Sequence, residues 1–236
     1  ALRDAGHEVL YLYPQRDTRE FDYDGIRMRT FRLRFALPDP GRLWPTRLAV
    51  KIYYPIFLCR ASWEALRVAR RFRPDIVYGQ LYQAVPVAWL VSRVRRIPNI
   101  TRIYGTFLAP WVRSWKRFLR YEEVFAYKVP CDVFIMTNDG TRGDECAEAL
   151  GVPPGRFRFW RNGVDKSMYR PDFDLARFKA ERGIPAHHVV LLALGRLERW
   201  KGVDRLIAAL PAVLATHPDL TVLVVGDGAE RGRLEA

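Results

Sequence analysis

Two apolar runs late in the chain, the second broken only by Thr221, restrict its fold more than any other feature. VVLLAL (189–194) ends at Gly195, and LTVLVV (220–225) ends at Gly226-Asp227-Gly228. Strands that are apolar at nearly every position, and not only at alternate ones, belong to sheets covered on both faces, which are parallel. Between the two runs a helical pattern extends from Val203 to Ala215, the crossover that a parallel pair requires. Each strand therefore ends on a glycine at the point where the chain turns toward a helix.

The same alternation runs upstream. EVLYLY reads as a strand ended by Pro14. Residues 25–33 set Ile26, Met28 and Thr30 against Arg27, Arg29 and Arg32, a half-exposed strand. Trp44 to Phe72 has helical spacing, with Leu48, Ile52, Phe57 and Trp63 among its apolar positions and Pro55 kinking or dividing it. Strands follow at Ile76–Tyr78, Ile100–Tyr104, Val133–Met136 and Phe157–Trp160, with helices at Val85–Val94, Trp115–Tyr127 and Gly143–Leu150 between them. The alternation lapses from Arg161 through Pro171 and resumes with a helix over Leu175–Arg182. The fold class predicted is α/β, with two Rossmann-like domains over residues 1–161 and 162–236.

The opening ALRDAGH reads as the last turn of a helix capped by Gly6, and Glu235-Ala236 falls within another helical pattern. The expectation is a piece cut at both ends, inactive by itself, from a parent that is an enzyme.

The net charge of +13 raises a nucleic-acid partner. Of the 39 cations, 33 are Arg and six are Lys, scattered along the whole length, which argues against a nucleic-acid surface. No run approaches the roughly 18 apolar residues of a membrane span. Cys59, Cys131 and Cys146 are odd in number and widely spaced, fitting neither a disulfide framework nor a metal site. They read as buried, reduced thiols of a cytoplasmic protein.

The chemistry concentrates at the two glycine tips. Open α/β sheets bind ligands beyond the carboxyl ends of their strands. Arg196 and Lys201 flank a helix start there, where unpaired backbone N–H groups carry partial positive charge. An Arg fork and a Lys point charge beside that helix start suit a diphosphate. The competing reading is a basic exposed loop, which Arg199 also decorates. Gly226-Asp227-Gly228 with Gly232 is one residue away from a dinucleotide fingerprint and also reads as a tight turn with nothing bound.

The segment GRLERWKGVDRLIAALPAVLATHPDLTVLVVGDGAERGRLE resembles the donor-binding half of the retaining, GT-B-fold glycosyltransferases of family four. RNGVDKSMYRP is similar to that family's interdomain segment, and LRDAGHEVLYLYP to the end of its first helix and second strand. The resemblance implies an N-terminal acceptor-side domain and a nucleotide-sugar donor domain. Arg196 and Lys201 would hold the donor diphosphate as the catalytic cations, and Gly195, Gly226, Asp227 and Gly228 would line the donor site. Tyr104-Gly105 would face the sugar and acceptor, with Tyr104 standing where many members have His. The family's first strand and glycine-rich loop are expected before Ala1, and its Glu-x7-Glu pair beyond Ala236.

The implied reaction moves a sugar from a nucleoside-diphosphate sugar to the hydroxyl of a sugar, glycolipid or polysaccharide acceptor, with retention. It takes no metal and no cofactor, the nucleotide sugar being a substrate. The aromatic-basic segment with Trp111, Arg113, Trp115, Lys116, Arg117 and Arg120 would touch an anionic membrane peripherally, or is an ordinary amphipathic helix with a solvated basic face. Asp22-Tyr23-Asp24 and Asp172-Phe173-Asp174 read as turn and cap residues. His187 and His188, as neighbours at a strand start, are expected on opposite faces and not as joint metal ligands. The alternative function is a nucleotide- or dinucleotide-binding module without transferase activity.

Overall fold

The computed structural model describes residues 2–33, 44–164, 169 and 172–235, with the side chains of 44–52 outside that description. Most of the Asp165–Pro171 stretch, and the side chains of Leu48 and Ile52, therefore lie outside the described residues. The chain forms two compact units, Ala1–Gly163 and Val164–Ala236.

The first unit holds two sheets. Strands β1 (Leu10–Gln15), β2 (Glu20–Tyr23) and β3 (Ile26–Arg32) pair in the order β1-β3-β2. β1 runs parallel to β3, and β2 antiparallel to it. The hairpin turns on Asp24 and Gly25, both at positive φ (51° and 71°), the two-residue geometry that matches strand twist. The Asp22 carboxylate accepts the Gly25 amide at 2.8 Å, so this Asp-x-Asp triplet is spent on the turn.

Pro14 does not end β1; it pairs with Phe31 inside the ladder. β1 lies at the edge of its sheet, where a missing N–H costs no ladder bond. Gly6, at φ 83°, closes the turn that precedes it.

The second sheet is all parallel: β4 (Val77–Gln80), β5 (Asn99–Ile103), β6 (Val133–Thr137) and β7 (Phe157–Trp160), adjacent in chain order. Among the described residues no ladder joins the two sheets. The Tyr11 hydroxyl of β1 instead donates to Gln80 Oε1 of β4 at 2.8 Å.

Helix α1 (Trp44–Phe72) runs through Pro55 without dividing. Its buried face is Tyr54, Phe57, Ala61, Glu64 and Ala69, while Trp63 is 65% exposed. Tyr54, Phe57 and Ala61 join Phe31 and Val87 in one apolar cluster. A larger cluster centres on Phe134 and Met136 of β6. It is covered by helices α2 (Leu81–Arg95), α3 (Tyr121–Lys128) and α4 (Gly143–Ala149).

The expected helix over 115–127 is two pieces, a 3₁₀ stretch at Trp115–Arg120 and then α3. Ser114 caps the first piece by accepting the Lys116 amide at 3.3 Å, and Arg120 leaves helical geometry at φ −124°, ψ 45°.

The second unit contains α5 (Leu175–Glu181), β8 (Val189–Leu194), α6 (Val203–Thr216), β9 (Leu220–Val225) and α7 (Arg231–Glu235). Asp174 caps α5 by accepting the Arg177 amide at 2.9 Å. β8 and β9 are parallel and in register, Val189 opposite Leu220 and Leu194 opposite Val225.

Candidate functional site at the strand tips

In the second unit the two glycine tips are built against each other. Gly195 and Gly226 sit at φ 156° and 154°, and the Gly195 amide donates to the Val225 carbonyl at 3.0 Å. A Cβ on Gly226 would land on the Gly195 carbonyl, and one on Gly228 would land on the Leu197 carbonyl. Leu197 N donates to Asp227 O (2.9 Å), and Glu230 N donates to Leu197 O (3.0 Å). The 226–228 glycines are thus required by the close approach of two backbones. Asp227 accepts the Gly228 amide on Oδ1 at 2.9 Å and is otherwise exposed.

The loop between β8 and α6 carries the cations. Arg196 is exposed and donates from Nη2 to Glu198 Oε1 at 2.8 Å. The Lys201 ammonium lies 4.1 Å from the ring centroid of Trp200, which is 66% exposed. Lys201 closes a 3₁₀ turn over Arg199–Lys201, just ahead of α6, which starts at Val203 as the sequence pattern predicts. Gly202, at φ 72°, then caps α6. The Arg205 amide donates to the Gly202 carbonyl at 3.0 Å, which leaves the amides of Val203 and Asp204 as those that have no intrahelical acceptor at a helix start. Each cation therefore has its own local partner, Glu198 or Trp200. Arg196 and Trp200 are exposed while Glu198 is half-buried, and solvent screens both contacts.

In the first unit the tips of β4 and β5 gather a polar cluster. The Tyr104 hydroxyl donates to Gln80 Oε1 at 3.3 Å, sharing that oxygen with Tyr11. Arg102 lies 4.8 Å from the Tyr104 ring centroid and donates to Asn162 Oδ1 at 2.9 Å. Burial raises the Tyr11 phenol above its ordinary value, with Tyr104 and Tyr78 adding to it. The hydrogen bond with Tyr78 leads the causes that raise Arg102. A Cβ on Gly105 would strike the Asp139 carboxylate, which Thr141 holds in place through Oγ1 at 2.6 Å.

Beneath this loop is a network the sequence did not announce. Glu123, 3% exposed, accepts from Thr106 Oγ1 (2.7 Å), Phe107 N (3.2 Å) and Arg120 Nη1 (2.7 Å). The Arg120 guanidinium faces the rings of Phe107 at 5.1 Å and Trp111 at 5.4 Å. Arg120 thus turns inward and leaves the basic surface, correcting its expected place there. Trp115 and Phe118, 70% and 60% exposed, remain outside with Arg113 and Lys116. The only sequence signal for the network was an acidic pair, Glu122-Glu123, opening an otherwise apolar helix.

An α/β protein of two Rossmann-like units, with glycines at the tips of parallel strands, is the class these features define. Residues 1–167 match Glycosyltransferase Family 4, and the chain belongs to that family. Residues 175–236 match Glycosyl transferases group 1. The chain is 28% identical to the GDP-mannose-dependent alpha-mannosyltransferase of Mycobacterium tuberculosis, over all of this chain and 58% of that protein. It is 28% identical to that organism's glycogen synthase over 71% of this chain and 39% of the relative. The chain thus spans between two and three fifths of the length of these relatives.

Sucrose-phosphate synthase of Thermosynechococcus elongatus superposes with a TM-score of 0.67, at 21% identity, over 99% of this chain and 58% of that one. Anabaena HepE in complex with UDP superposes with a TM-score of 0.62, at 17% identity, over 97% and 64%. The fold is GT-B. Among the described residues, no helix is long and apolar enough to cross a membrane.

Proposed function

We propose that the protein containing this chain is a cytoplasmic glycosyltransferase. It moves a sugar from a nucleoside-diphosphate sugar to an acceptor hydroxyl with retention at the anomeric carbon. The single observation that carries the reading is the cation-bearing strand tip, Gly195-Arg196 through Lys201, in a chain matched to family four over 1–167. As the glycosidic bond breaks, negative charge grows on the departing diphosphate. Arg196, Lys201 and the first amides of α6 stabilise that charge without a metal or cofactor. Gly226, Asp227 and Gly228 border the nucleoside, and Tyr104-Gly105 faces the sugar and acceptor.

The relatives' names extend to a GDP sugar and the solved neighbours to UDP, so both diphosphates are probes. Calorimetric titration of the chain with UDP and with GDP should show saturable binding of one of them. Arg196→Ala and Lys201→Ala should each weaken it on the order of tenfold to a hundredfold, the worth of a charge-assisted hydrogen bond. In the whole enzyme each should slow turnover about a hundredfold. Diphosphate binding and turnover unchanged in both variants would overturn the assignment.

The acceptor we favour is a glycolipid or polysaccharide at an anionic membrane surface, met by Trp115, Lys116 and Phe118. Co-sedimentation with phosphatidylserine vesicles should be strong at low salt and fall at high salt. Indifference to salt, or no binding, removes the membrane from the proposal.

A further inference from the structure

Among the described residues, one group of three side chains places metal-ligating atoms within 4.8 Å of one another: His187, His188 and Asp219. The sequence pointed the other way, because neighbours in a strand face opposite sides. That rule applies only inside a strand. β8 begins at Val189, and His187 lies in the turn before it, so the two rings come to 4.8 Å at an interplanar angle of 80°. Asp219 immediately precedes β9, and its carbonyl accepts the Val189 amide at 2.8 Å. The backbone thus pins the histidine turn to the aspartate turn before any ligand arrives.

The spacing suits a tetrahedral ion. Nε2 of His187 is 3.3 Å from Oδ1 of Asp219. Two ligands at about 2.0–2.1 Å from zinc, spread at the tetrahedral angle, lie about 3.3 Å apart. His188 has a feature that a surface ion pair does not need: its Nδ1 is 2.9 Å from the Thr221 hydroxyl. When the Thr221 hydroxyl accepts an Nδ1–H, it orients the ring and leaves Nε2 with the lone pair a metal takes, the support that metal-bound histidines ordinarily have. Two imidazoles and one carboxylate form a borderline donor set. It suits zinc and its first-row neighbours and not magnesium or calcium, which take oxygen shells.

We propose that His187, His188 and Asp219 form a zinc site, with water completing the shell, that clips together the leading ends of β8 and β9. The site is distinct from the donor tips. Gly195 and Gly226 stand beyond the opposite ends of the same strands, seven residues or about 23 Å from His188 and Asp219. Among its described residues the second unit has only two buried hydrophobic side chains, Ile184 and Leu197. A bridge between its only two described strands therefore adds much to a small core. The inference does not depend on the transferase reading.

The test uses the purified, EDTA-stripped chain carrying Cys59→Ser, because Cys59 is an exposed free thiol and thiols compete for zinc. Zinc titration should saturate at one equivalent, and cobalt should give the visible absorption of a tetrahedral site. His187→Ala, His188→Ala and Asp219→Ala should each lower zinc affinity at least about tenfold, and Thr221→Val by about tenfold, the usual effect of removing a ligand's support. Zinc should raise Tm in the parent and not in the His187→Ala/His188→Ala double variant, while binding of UDP or GDP stays the same in both. The proposal is overturned by an absence of saturable binding, by equal affinity in the double variant, or by an affinity that ignores Thr221→Val. The last result would mean adventitious capture by exposed imidazoles.

Discussion

Glu123 shows how a residue of the site can escape a reading of sequence. A carboxylate 3% exposed holds an amide, a hydroxyl and a guanidinium, and all three belong to the loop and 3₁₀ segment around Tyr104-Gly105. Replacing it with alanine leaves Arg120 charged and buried without its partner, a change that costs about 3–5 kcal/mol. Glu123→Gln keeps the shape and an acceptor, and should cost about 1–3 kcal/mol. Urea unfolding of the first unit measures both as midpoint shifts at constant slope. A Glu123→Ala loss below about 1 kcal/mol would show that water already shares the load. Both acids of the Glu122-Glu123 pair are buried, and nothing in their order says which one meets Arg120, because that depends on where the β5 loop brings Thr106. Gly226 is the opposite case. Its place at a strand tip was legible, since a glycine ending an apolar run marks a close approach. What approaches it is the Gly195 carbonyl, a backbone atom that cannot step aside, whereas the group crowding Gly105 is a side-chain carboxylate.

At the scale of elements, apolar periodicity placed nearly every strand and helix, and it failed where charge set the phase. α1 presents Glu64 to the interior because Arg29 of β3, itself 8% exposed, reaches it at 3.9 Å, with Arg60 and Arg67 at 3.0 and 3.3 Å. Counting Trp63 among the apolar positions therefore selected the wrong side. The same rotation puts Cys59 on the outside with Ile56 and Trp63, against the expectation of three buried thiols. Cys131 and Cys146 are buried, and burial raises both thiols, that of Cys146 to about 11. At pH 8 a disulfide reagent should titrate one thiol in the native chain and three after unfolding. The raised values also set a sign. Above pH 9 the unfolded chain releases thiol protons that the folded chain keeps, so stability is full below 9 and falls as the pH rises toward 11. Two or more fast native thiols would contradict the burial of α4 and of the turn before β6.

Over the whole molecule, the two units differ in how far they satisfy their own sequence pattern. In the first, Val85, Phe134 and Cys146 are fully buried, and the parallel strands β4 to β7 lie against α2, α3 and α4. In the second, strands apolar enough for burial on both faces keep Val189, Leu192 and Leu194 67%, 58% and 75% exposed. Three helices are the only described elements there to cover them. The sequence announced a two-faced sheet from those runs, and it could not announce how little of the unit would be covered. Local opening follows buried apolar contact, so the amides of β5 and β6 should exchange hydrogen at rates near those set by global unfolding, and those of β8 and β9 much faster. Saturating UDP or GDP should slow exchange at the β8 and β9 tips and leave β6 untouched, because a ligand stabilises only the equilibria it takes part in. Mass-resolved exchange at the level of single peptides measures this. Equal protection in β6 and β9 without nucleotide would mean that the two units open as one.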